Sequence, residues 1–208
     1  MRAFRSRAPM RNRFRAVQAW YAEGMPNYFS ITDAARKLRS AGRILVIGCS
    51  GGGKTTLALR IAKHCDLEYQ SIDRDVRWLP GWQERARAEQ RAILARLVAR
   101  DRWVMDGSRA STFDIRVPRA DLIVWVRVPR FVALFGLARR VARNYGRVRV
   151  AMAEGCPEPI PDREFLSYIW NFEAHSAPRF ESQIDAHGPH VPVVVLRSRR
   201  SADYLFQD

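Results

Sequence analysis

Gly48-Cys49-Ser50-Gly51-Gly52-Gly53-Lys54-Thr55 decides how this chain is read. A glycine, four residues, then Gly-Lys-Thr is the spacing of a phosphate-binding loop. The flanks agree with it. Arg43 to Ile47 before it is a short apolar run that predicts a buried strand. Thr56 to His64 after it places Leu57 and Ile61 four apart, on one face of a predicted helix. Between strand and helix, glycines let successive N–H groups converge into an anion-binding concavity, and the helix N-terminus adds partial positive charge. In that setting Gly48, Ser50, Gly51, Gly52, Gly53, Lys54, Thr55 and Thr56 form the candidate nucleotide cradle. Lys54 is placed to reach the β- and γ-phosphates, and Thr55 offers a hydroxyl to Mg²⁺.

Outward from the loop the pattern keeps alternating. Leu67–Ile72 predicts a second strand ending at Asp73. A turn with Pro80-Gly81 follows, then an amphipathic helix from Gln83 to Arg100. Trp103–Met105 predicts a third strand, ending in Asp106-Gly107, and Asp121–Val128 a fourth. Phe131–Asn144 predicts a helix with Arg139, Arg140 and Arg143 on a basic side. Tyr145 to Pro161 is rich in Gly, Pro and Arg. Asp162 is the cap of a predicted long helix from Arg163 to about His187, Val191–Leu196 a fifth strand, and Ala202–Phe206 a small terminal helix. Strands alternating with helices predict an α/β fold, a parallel five-stranded sheet with helices on both faces. Substrates of such sheets gather at the carboxyl ends of the strands, which groups the phosphate loop with Asp73 and Asp106.

Composition narrows the class. The chain has 208 residues and 47% hydrophobic residues, and no apolar run approaches a membrane span. Three scattered cysteines, Cys49, Cys65 and Cys156, show no metal-ligand spacing and suit a reducing cytoplasm. The net charge of +15 invites nucleic-acid binding, but the basic residues are nearly all arginine, as coding bias also produces, and arginine suits phosphate clamps. Nucleic acid is therefore a secondary reading. Residues 1–41 carry a net charge of +7 with no acid among the first 22. They predict a poorly ordered basic arm, a transit peptide, or translation assigned upstream of Met10 or Met25, with a short helix over Ser30–Leu38 capped by Ser30 or Thr32. The domain proper is expected over 42–208.

A longer series gives a resemblance: Asp73…Trp78-Leu79-Pro80-Gly81-Trp82, Trp103-Val104-Met105-Asp106-Gly107, Arg116…Arg119-Ala120-Asp121…Trp125…Pro129-Arg130, Gly155-Cys156-Pro157-Glu158 and Phe165-Leu166-Ser167-Tyr168-Ile169-Trp170. In this order it resembles the adenylate-kinase-like P-loop proteins called bacterial DNA topology modulation proteins, over roughly residues 43–200. The resemblance implies a nucleoside-monophosphate-kinase fold with a lid, here at about 139–162, and ATP with Mg²⁺ as cofactors. It puts Asp106 beside Thr55 as a Mg²⁺ ligand, Asp73 or its neighbour Asp75 near the acceptor hydroxyl, and Arg139 and Arg143 in the lid over the transferring phosphoryl group. Trp78 and Trp82 flank the acceptor loop, as stacking platforms or as local packing. Arg109 and Arg116 are candidates for an acceptor phosphate, and Arg197–Arg200 flank the adenine. Arg127 departs from the family pattern, which commonly has an acid there. The implied function is phosphoryl transfer from Mg·ATP to a small acceptor, a nucleoside monophosphate or another hydroxyl-bearing metabolite. The alternatives are a nucleotide-regulated DNA-binding protein and an ATPase without an acceptor.

Overall fold

The computed structural model describes residues 27–207. Five parallel strands form the central sheet: β1 (Arg43–Gly48), β2 (Glu68–Ser71), β5 (Trp103–Asp106), β6 (Leu122–Val126) and β7 (Val193–Leu196). Their order is β2-β5-β1-β6-β7. All residues of β5 and β6, and all but the first of β1, are buried. Because successive side chains point to opposite faces, both faces of the sheet are covered, as parallel sheets require. The register aligns Ser71 and Val46 with Asp106. The carboxyl ends of the three strands on this side of the sheet therefore open at one level.

The first helix of the domain, α1 (Ile31–Leu38), is capped by Ser30, whose Oγ accepts from the Asp33 N–H at 3.1 Å. Ala34, Leu38 and Ala41 are core residues, and α1 packs on β7 and the C-terminal turn Tyr204–Phe206. Tyr28 bridges to Val193 at the sheet edge, with Phe29 N–H donating to Val193 and Val193 N–H to Asn27. Residues 27–41, expected within the arm, thus pack against the sheet edge and the C-terminal turn, since their apolar face has somewhere to go. The rest of the expected arm, residues 1–26, lies outside the described residues.

After the phosphate loop comes α2 (Lys54–Cys65). The expected helix from Gln83 starts later, as α3 (Arg87–Val98), because Gln83–Glu84 forms β4, paired antiparallel with β3 (Trp78–Leu79) around Pro80-Gly81. A short α4 (Phe113–Arg116) precedes β6, and α5 (Arg130–Asn144) follows it. The expected long helix is two: α6 (Arg163–Trp170), capped by Asp162, and α7 (Ala177–His187), joined by a π-helical turn over Phe172–Ser176. Pro178, in the first turn of α7, causes the break. It has no N–H to donate, and its ring collides with the carbonyl four residues back. A last helix, α8 (Arg199–Asp203), begins at Ser198. Among the described residues no helix is long and apolar enough to cross a membrane.

Candidate active site

The phosphate loop is held from both sides. Ser108 Oγ donates to the Gly48 carbonyl at 2.6 Å and accepts the Gly48 N–H at 2.8 Å. On the other side α5 lies against the loop so closely that a Cβ on Gly51 would stand 2.1 Å from the Ala133 carbonyl oxygen. Gly53, with φ of 99°, is the N-cap of α2 and supplies no side-chain cap. The first-turn N–H groups thus stay available to an anion. Cys49 sits under the loop, and burial pushes its thiol up to about 11, which makes it an inert small residue rather than a redox sensor.

Lys54 Nζ donates to the Cys49 carbonyl at 2.9 Å. Desolvation lowers its pKa, opposed chiefly by Asp106. Thr55 Oγ1 donates to Asp106 Oδ2 at 2.5 Å, with Tyr69 OH at 3.4 Å from the same oxygen. Asp106 Oδ1 is buried without a hydrogen-bond partner among the described residues. Burial raises the Asp106 pKa, against the lowering influence of Lys54. An orphaned carboxylate oxygen beside a hydroxyl fits Mg²⁺, a hard cation that takes few protein oxygens and keeps several waters. Among the described residues no cluster of three or more His, Cys, Asp or Glu offers an all-protein metal cage.

A cleft of about 1490 Å³ runs along the loop, and it brings together the phosphate-loop residues 48 and 50–56, Asp73, Asp106, Arg139 and Arg143. The π-helical turn Ile72–Arg77 points Asp73 and Asp75 in different directions. Asp75 turns away, accepting the Ser71 N–H at 2.7 Å and pairing with Arg74 at 2.7 Å. Asp73, half-buried, lines the cleft with no side-chain hydrogen bond or ion pair among the described residues.

The arginines sort themselves by contact. Arg139 and Arg143 line the cleft from exposed positions on α5. Arg140, between them, is the one whose guanidinium meets the loop, donating to Ser50 Oγ at 3.1 Å. Arg116, a candidate for an acceptor phosphate, is instead fully buried. It donates to the carbonyls of Gly107 and Arg109 and to Thr112 Oγ1, and burial lowers its pKa. Arg109 lines the cleft and pairs with Glu84 at 2.9 Å. Arg127 holds Glu173 and Glu181 at 2.9 and 2.6 Å, so it ties β6 to α7 and the turn before it. Trp78 and Trp82 meet edge to face at 5.3 Å, packed on Met152, Ala153 and Cys156, and both also line the cleft. At the far end Ser198 and Arg199 line it too. Ser108, Tyr69, Arg140 as the loop-contacting arginine, and Glu158 were not singled out by sequence reasoning. Only Glu158 left a signal, as the acid closing Gly155-Cys156-Pro157-Glu158 amid arginines.

Neither a protein-family model nor a curated protein matches the sequence. Solved structures do. Shikimate kinase from Acinetobacter baumannii in complex with shikimate superposes with a TM-score of 0.54 at 14% identity, covering 83% of this chain and 93% of that one. The fold is that of the P-loop kinases. Shikimate kinase from Bacteroides thetaiotaomicron follows at 0.49 and 16%, covering 80% and 95%. Deoxyadenosine kinase from M. mycoides with bound dATP stands at 0.46 and 11%, covering 79% and 94%. The P-loop kinase fold explains why the loop, Asp73 and Asp106 share one cleft: they are the carboxyl-terminal exits of β1, β2 and β5. Of the family resemblance, the fold is what is shown.

Proposed function

We propose that this protein is an ATP-dependent phosphotransferase acting on a small hydroxyl-bearing acceptor. One observation carries the reading. Among the described residues, a single cleft holds an anion-binding loop, a metal-suited carboxylate with an unpartnered oxygen, and a second carboxylate, Asp73, with no side-chain hydrogen bond or ion pair. A glycine-rich structural turn requires none of the last two.

The residues divide the work. Loop N–H groups and Lys54 bind the phosphates and offset the charge that moves to the ADP leaving group. Thr55 and Asp106 would hold Mg²⁺, which supplies charge neutralisation when bound. Asp73 accepts the proton of the acceptor hydroxyl as its oxygen bonds to the γ-phosphorus and the bond to the ADP oxygen breaks. Trp78, Trp82, Arg109 and Met152 wall the acceptor end. Arg139, Arg140 and Arg143 cover the transferring group. We further propose that the chain belongs to the topology modulation family and works in the cytoplasm, which its three free cysteines suit.

The DNA-binding alternative gains no support from the described surface, where much of the arginine charge is already paired with acids, as in Arg60–Asp203, Arg91–Asp114 and Arg100–Glu68. The test is a panel of nucleoside monophosphates and hydroxylated metabolites incubated with γ-labelled ATP and Mg²⁺. A labelled acceptor that disappears with Lys54→Ala, in a variant that still folds, is the expected result. Label appearing only as inorganic phosphate identifies an ATPase, and turnover unchanged in Lys54→Ala refutes the assignment.

A further inference from the structure

After α5 the chain folds back over the cleft through residues 145–161, and one buried carboxylate fastens it there. The Glu158 side chain is 1% exposed. Its Oε1 accepts from Arg140 Nε at 2.7 Å and its Oε2 accepts from Arg149 Nε. The Glu158 backbone is tied as well, its N–H donating to Arg147 and its carbonyl accepting from Gly146. Arg140 uses a second nitrogen, Nη1, on Ser50 of the phosphate loop. Both guanidinia are thus fixed through Nε, while Nη2 of Arg140 and both Nη atoms of Arg149 have no hydrogen-bond partner among the described residues. All three side chains line the cleft that holds Lys54.

Charge makes the arrangement specific. Two guanidinia sharing one carboxylate retain a net charge of +1. Burial lowers the Arg140 pKa, Arg149 lowers it further, and Glu158 opposes both. Without Glu158 the two cations would repel and part. We propose that Glu158 is a positioning residue that holds Arg140 and Arg149 as a paired receptor for the terminal phosphate of the nucleotide. The pair thereby sets a preference for a triphosphate over a diphosphate. This rests on the phosphotransferase reading, since it needs a nucleotide in the loop. The opposite arrangement, in which Glu158 is a resident anion that the phosphate must displace, predicts the opposite sign.

The experiment is calorimetric titration of the full chain with Mg²⁺ and either ADP or the β,γ-imido analogue of ATP. Charge-assisted hydrogen bonds to the extra phosphate are expected to make the wild type favour the triphosphate by about tenfold. Glu158→Gln should leave ADP affinity near wild type and bring the ratio close to one. A loss of folded protein would lower the binding stoichiometry for both ligands alike and leave the ratio untouched. Glu158→Asp keeps the charge but is one methylene too short to span both guanidinia, so it should fold and give an intermediate ratio; should Glu158→Gln not fold, this variant decides. An unchanged ratio in the variants that fold overturns the proposal, and so does a ratio that rises. Nucleotide binding with an unchanged ratio sinks this inference alone, whereas a wild type that binds neither nucleotide sinks the phosphotransferase reading beneath it.

Discussion

Replacing Gly136 by alanine separates what helix propensity says from what the tertiary contact says. Gly136 lies inside α5, where alanine alone would stabilise the helix by about 1 kcal/mol. In the fold, a Cβ at this position would stand 2.1 Å from the carbonyl oxygen of Gly51 and 2.7 Å from an Arg199 guanidinium nitrogen. The arginine can swing aside, but the Gly51 oxygen belongs to the phosphate loop, so α5 and the loop must part by about 1 Å to reach an ordinary contact. Overpacking of that kind costs about 1–3 kcal/mol, so the expected net is a loss of up to about 2 kcal/mol instead of a gain. The displaced group is the phosphate cradle itself, and a shift of this size is worth on the order of 100-fold in kcat/KM. Urea denaturation measures the first effect and steady-state phosphotransfer, with nucleotide titration, the second. Ala142→Gly, at an exposed position of the same helix, is the control: it should cost about 1 kcal/mol of stability and leave the kinetics alone. A Gly136→Ala protein as stable as wild type, with unaltered nucleotide affinity, would refute the claim that α5 sets the loop's position.

Asp106→Asn should fold and yet require more Mg²⁺ for half-maximal turnover; a titration superimposable on wild type removes Asp106 from the site. Asp73→Asn should lower kcat with little change in stability, while Asp75→Asn, which loses the Arg74 pair and weakens the Ser71 contact, should do the reverse; denaturation and kinetics on the two variants decide. Arg116→Ala should lose about 3 kcal/mol or more in denaturation, because it empties a fully buried site and takes the Arg116 donor from the buried Gly107 carbonyl and Thr112 Oγ1, and a stable variant with only a raised acceptor KM would restore Arg116 to the acceptor site. Burial of Asp121 would raise its pKa, but hydrogen bonds from the Arg43 guanidinium and backbone, with the Gly42 N–H, hold it below the usual carboxylate range. Its contribution is therefore present above the ordinary value of about 4 and is lost as pH falls through the lowered one. Asp121→Asn should cost stability at pH 7, with the gap closing on acidification through that window, and a gap independent of pH would refute the pairing.

Local patterns told the sequence where its strands and helices lie, because burial on both faces writes apolar runs at β1 and β6 and a glycine-lysine-threonine turn has one obvious setting. The strand-end rule likewise picked out Asp73 and Asp106. The expected helix over Arg163 to about His187 ran through Pro178, although the break there needed only local sterics. By contrast, which arginine of α5 reaches the loop depends on how the helix rotates against it, and the Gly51–Gly136 contact, 85 residues apart in sequence, sets that rotation. Asp73 and Asp75 differ only in which way a π-helical turn points them. Arg116 looked like a phosphate ligand because composition carries no information on burial. The sequence alone determined that a phosphate-loop motif sits between strand and helix of a parallel α/β sheet, since chain-local geometry makes that turn. Only the tertiary structure decided which charges face the cleft and which hold the fold, because a charged side chain's role is set by the groups that distant segments bring within hydrogen-bond reach.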